Sequence, residues 1–205
     1  MAVALRAATQ GTYRSSATGT VAWPTGTAAN DYALLCITST TSSSPKKEPV
    51  DTAGWDLKKT TPTSKTWGRR LSAADIAAPL PLLGYVVFLQ TFTGCRGTGN
   101  VTEDPGATLT AAGAGLAVFG RDTSVLTPAT GKLHTDVRNP AYNNRWNNVW
   151  FRAGTAAGYL ALDGACNADD TDGFELLPEI VPSAPILSSP AVGSVLDPAL
   201  ATVLS

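Results

Sequence analysis

The chain has 205 residues, with 15 Lys plus Arg against 16 Asp plus Glu and a formal net charge of −1. That balance argues against binding to nucleic acid or to an anionic membrane driven by charge. Hydrophobic residues are 43% and charged residues 15%, the latter well below the ~25% usual in soluble domains. Thr, Ser, Ala and Gly take the place of the missing charge, and 19 Gly with 14 Pro punctuate the chain against long helices. Cys36, Cys95 and Cys166 are far apart and lack CxxC spacing, which speaks against a zinc site and allows at most one disulfide. They read as packed thiols. The opening MAVALRAATQ has no apolar core of signal-peptide length, and no transmembrane segment is evident. If the protein works outside a cell, the expectation is that it leaves as part of a particle.

In chain order, residues 3–6, 12–14 and 19–24 read as short strands, the last ended by Pro24. After the Asn30-Asp31 turn, residues 32–40 (YALLCITST) form a strong strand. Both of its faces begin apolar, which predicts a central strand paired near residues 85–97. Residues 40–50 read as a polar loop with Lys46-Lys47-Glu48 at a solvated tip. Strands follow from Gly54 and from Thr66, and residues 72–78 predict one helical turn that Pro79 and Pro81 stop.

The stretch 85–97 (YVVFLQTFTGCRG) is the most apolar run and reads as the organising strand. Val86, Phe88, Gln90, Phe92 and Gly94 alternate onto one face, suited to the space between two sheets. Val87, Leu89, Thr91 and Thr93 form the other, a partly covered outer face. A loop is expected over 97–107, then strands over 109–119 and 133–138. Residues 145–152 and 158–162 read as a hairpin, and residues 174–180 as the last strand. The count is about nine to eleven strands at sandwich spacing. Residues 1–180 therefore read as an all-β, antiparallel, jelly-roll-like β-sandwich. Residues 181–205, with prolines at 182, 185, 190 and 198, read as a Pro/Ser-rich linker and the first strand of a following Ig-like or fibronectin-III-like module.

Reaction chemistry finds little purchase. The single histidine, His134, has no nucleophile-elbow context. Residues 167–173 (NADDTDG) partly match a calcium loop, so Asp169, Asp170 and Asp172 are the candidate calcium ligands against a plain acidic hairpin turn. The aromatic and amide run around Tyr142, Asn144 and Trp146 is the candidate ligand surface, suited to a hydroxyl-rich sugar. Arg69, Arg70 and Arg96 read as structural, with Arg96 anchoring loops at the sandwich end.

Several features recur together: Ala22-Trp23-Pro24, the turn and strand opening Asn30-Asp31-Tyr32, Gly54-Trp55-Asp56-Leu57, Arg69-Arg70-Leu71 before Ala73-Ala74-Asp75, Gly94-Cys95-Arg96-Gly97, and Asp172-Gly173-Phe174. This pattern resembles a β-sandwich module of minor tail and other virion structural proteins of tailed, actinobacteriophage-like bacteriophages. The resemblance spans about 180 residues and implies a non-enzymatic role in the virion tail, without cofactor, catalytic residue or metal. It implies other virion tail proteins as partners, a homo-oligomer (a trimer or ring), and presentation of modules to the host surface, with a host cell-surface glycan as a further partner. Nucleic acid and membrane insertion are not expected. The alternatives are a carbohydrate-binding module and a capsid decoration or head-fibre protein.

Overall fold

Runs of β-branched and aromatic residues set between glycine, proline and polar turns become strands throughout. The computed structural model describes residues 1–8, 12–13, 18–38, 47–61, 64–84, 86–102, 106–122, 137–138, 146–161 and 170–180. Among these the chain is all-β and antiparallel, with no helix. The strands are β1 (Ala4–Ala8), β2 (Thr12–Tyr13), β3 (Thr18–Val21), β4 (Tyr32–Thr38), β5 (Glu48–Pro49), β6 (Asp56–Thr60), β7 (Ser64–Arg70) and β8 (Leu80–Leu83). They continue with β9 (Val86–Thr93), β10 (Cys95–Thr102), β11 (Gly106–Leu109), β12 (Gly115–Asp122), β13 (Val137–Arg138), β14 (Trp146–Ala153), β15 (Gly158–Ala161) and β16 (Asp170–Pro178).

A central sheet runs β1-β9-β4-β7-β6, with β2 also on β9. One of its faces packs on a second sheet, ordered β10-β16-β12-β14-β13. Between them Tyr32, Leu34, Cys36, Phe88 and Phe92 meet Ala117, Phe119, Phe174 and Leu176. The other face is covered by a small sheet, β3-β8-β5. There Val21, Leu80 and Leu82 lie against Ala33, Leu35, Ile37, Trp67, Val87 and Leu89. A ribbon of β11 and β15 completes the described strands. The sandwich thus carries a third layer. That is why every residue of β4 is buried and why its sequence is apolar on both faces. The expected pairing of this strand with the 85–97 stretch is present as seven residue pairs, from Tyr32↔Phe92 to Thr38↔Val86.

Several expectations are corrected. The 85–97 stretch is two strands, not one. Gly94 takes φ +66°, a left-handed conformation that glycine adopts without strain, and the chain leaves the central sheet there to enter the second. A Cβ on Gly94 would meet the Ala2 carbonyl oxygen at 2.6 Å. The outer face of β9 is not partly covered but buried, with Val87, Leu89 and Thr91 at 0% exposure, because the third layer lies on it. The loop expected over 97–107 is mostly β10, which pairs with β16 across two irregularities. The single strand over 109–119 is β11 and β12, separated by a turn in which Gly113 has φ +78°.

The expected hairpin of 145–152 with 158–162 does not form: β14 pairs with β12 over eight residues, whereas β15 pairs with β11. Of the expected strand over 133–138, Val137–Arg138 is described as β13. Residues 72–78 make turns and not a helix: the Asp75 carboxylate accepts from Ser72 N at 2.7 Å and Ser72 Oγ at 2.8 Å, a capping arrangement that closes a single turn, and Pro79 and Pro81 stop it from continuing. Lys47 is no solvated tip. It is 7% exposed, and its carbonyl accepts the Trp67 indole N–H at 2.9 Å. The segment 181–205 lies outside the described residues.

Candidate functional site

Of the candidate ligand surface, Tyr142 and Asn144 lie outside the described residues, and Trp146 opens β14 opposite Arg138 and Asp122. Of the candidate calcium ligands, Asp169 lies outside the described residues. Asp170 and Asp172 stand not in a turn but in β16, opposite Arg121 and Phe119. Asp172 is buried and shares the inward face of Phe174 and Leu176 by alternation. Among the described residues no group of three or more His, Cys, Asp or Glu is placed to hold a metal, and no helix is long and apolar enough to cross a membrane. His134 and Cys166 also lie outside the described residues.

Cys36 and Cys95 are buried free thiols, as expected of packed cysteines. Burial pushes both up to about 12, so neither is a thiolate near neutral pH. Cys95 donates to the Gly97 carbonyl at 3.3 Å.

The charged groups the structure brings together are joints. At the start of β4, Asp31 is 2% exposed. It accepts from Arg6 Nε at 2.7 Å and from Ala28 N at 2.8 Å, which ties β1 to the turn carrying Asn30 at φ +71°. On the far side, Arg69 bonds the Ala53 carbonyl and Asp75, at 2.8 and 2.5 Å, and lies over the Trp55 ring at 5.9 Å. Burial would raise the Asp75 carboxyl, but the hydrogen bonds from Ser72 and the Arg69 guanidinium outweigh it and hold it below its ordinary value.

The Gly94 corner is latched by Arg70 rather than by Arg96, which is exposed. Arg70 reaches Glu179 at 2.5 Å and the Cys95 carbonyl at 3.4 Å, while Glu179 N bonds the Gly94 carbonyl at 2.8 Å. One latch therefore holds β7, the β9–β10 corner and the end of β16.

Sequence reading missed Glu175. It alternates with Phe174 and Leu176 and so reads as solvent-facing, yet it is fully buried. Its carboxylate accepts from Asn100 N at 3.0 Å, Thr110 N at 2.5 Å and Thr110 Oγ1 at 2.8 Å. It thus pins the irregular part of β10 and the turn after β11. Gly99 makes room, since a Cβ there would collide with this carboxylate. The sequence offers only Gly99 and Gly97 as a hint of close approach.

These residues brace layers and corners. No known protein family, curated protein or solved structure matches the chain.

Proposed function

We propose that this chain is a non-enzymatic structural protein of a bacteriophage virion, a minor tail, tail-tip or tail-fibre component. In this reading it attaches to the particle through other tail proteins, as a trimer or ring, and presents modules to the host surface. The reading keeps the jelly-roll-like description of the sandwich and an Ig-like or fibronectin-III-like module from residue 181.

The observation that carries it is how the described ionisable and nucleophilic side chains are used. Asp31 with Arg6, Arg69 with Asp75, Arg70 with Glu179, and Glu175 with backbone N–H groups all join strands or corners, and the Cys36 and Cys95 thiols are sealed in the core. Such a molecule is built to hold a shape. The module pattern from Trp23 to Gly97 adds the virion setting.

The test is peptide mass spectrometry of density-purified particles together with antibody labelling under the electron microscope. The expected result is a fixed copy number per particle and label on the tail. A protein that remains a free monomer and labels no particle would overturn the reading, and label on the head would replace it with capsid decoration.

A further inference from the structure

Strand pairings inside the two large sheets run without interruption. β4 matches β7 and β9 over seven residues each, and β12 matches β14 over eight and β16 over seven. The irregularities fall at the rims. Among the described residues β1 and β6 are the outer strands of the central sheet, and β10 is an outer strand of the second. Each of these three slips from its neighbour's register.

The residue inserted at the slip is basic each time. Leu5 and Ala7 are matched to the consecutive Phe92 and Thr91, which leaves Arg6 as the extra residue. Leu57 and Lys59 are matched to Trp67 and Thr66, which leaves Lys58. Cys95 and Gly97 are matched to Pro178 and Leu177, which leaves Arg96, and β10 slips again between Thr98 and Val101. Only 15 of the 205 residues are Lys or Arg, so composition does not account for a cation at all three positions. Two of the cations are fixed in place. Arg6 Nε lies 2.7 Å from Asp31 and Lys58 Nζ lies 3.3 Å from Asp56. Arg96 is exposed.

An outer strand presents N–H and C=O groups that a further strand can join. A bulge puts one residue out of step and twists the strand, so an added strand loses its hydrogen bonds beyond that point. A cation at the bulge must also give up water when the edge is covered. We propose that Arg6, Lys58 and Arg96 close the outer strands of both large sheets to strand addition. A second copy or another partner then docks on a face or corner of the sandwich and does not extend its sheets. The other described rims agree. β13 has two residues, and β3, β5, β11 and β15 have two to four, and very short edges also limit pairing.

The test uses the full chain. Deletion of Lys58 restores a continuous β6–β7 ladder, and Lys58→Val keeps the backbone while removing the charge. In sedimentation velocity the deletion is expected to shift the protein to faster species as concentration rises, with slower hydrogen exchange at the β6 amides, and Lys58→Val to do the same more weakly. A labelled peptide of residues 64–70, the natural neighbour of β6, is expected to bind the deletion variant and not the wild type. Folded variants that sediment and exchange as the wild type does, or a wild type that binds the peptide, overturn the proposal. Lys58→Val decides where the deletion does not fold.

Discussion

Glu175 is fully buried, and two backbone N–H groups and one hydroxyl hold it. Hydrogen bonds to a charged acceptor are worth about 1.5–3 kcal/mol each, and a buried donor left without its acceptor costs about 1–3 kcal/mol. Glu175→Ala removes the acceptor of three donors at once. The expected loss is about 3 kcal/mol or more, read from the urea midpoint, with faster hydrogen exchange at the Asn100 and Thr110 amides. Glu175→Gln keeps the shape but turns an NH2 towards donors, so it too should destabilise, by less. Exchange at those two amides unchanged in both variants would contradict this role. Period-2 alternation could not find this residue, because it assigns a strand's outer face to solvent. Here the chain folds back over that face, through β10 and the turn after β11, and replaces water with its own N–H groups.

The elements legible in the sequence were those whose neighbours are themselves apolar strands. The β4 strand was readable as central because both of its faces carry Leu, Ile, Ala and Cys. Phe88 and Phe92 were correctly placed between two sheets, and Gln90 on the same face. What failed were the boundaries at glycines. A glycine inside an apolar run is compatible with a continuous strand, a bulge or a corner, and only the partner strands decide among them.

Gly94 is the corner. Its left-handed φ and the Ala2 carbonyl at 2.6 Å from a would-be Cβ leave no place for a side chain. Gly94→Ala is therefore expected to cost about 1–3 kcal/mol from backbone conformation alone, and more from the contact with Ala2. Thermal unfolding followed by circular dichroism would measure it, and a Tm within 1 °C of wild type, on the order of 0.5 kcal/mol or less, would refute it. The candidate ligand surface and calcium ligands were less tractable for a related reason. Asp170 and Asp172 read as a turn because they are polar, but β12 recruits them into β16 as partners of Arg121 and Phe119.

At the scale of the whole molecule, three acidic protons among the described residues are held by burial. The Cys36 and Cys95 thiols are pushed up to about 12, and the Tyr32 phenol is raised as well, with desolvation the leading cause in each. An unfolded thiol releases its proton near pH 8.5. Above that pH the unfolded chain binds fewer protons than the folded one, so stability falls as pH rises from about 8.5 towards 12 and is insensitive to these groups below about 8. The limiting slope is about 1.4 kcal/mol per pH unit for each thiol. Urea midpoints should therefore decline between pH 9 and 11, and less steeply in Cys36→Ala. A flat profile to pH 11 would show that the thiols are not sealed.

The order of strands in the second sheet has a consequence in time. Its neighbours are β10-β16-β12, so β16, at residues 170–178, is wedged between two strands that precede it by some fifty residues or more. A nascent chain emerging from the ribosome N-terminus first, at about 5–20 residues per second, can assemble the central sheet and its covering layer from residues 4–93. It cannot zip β10 to β12 through their shared partner until β16 has been made. During that interval the apolar inner face of the central sheet, with Phe88 and Phe92 on it, waits uncovered. Synthesis speed and chaperone supply thereby enter the yield of this protein, through the position of one strand.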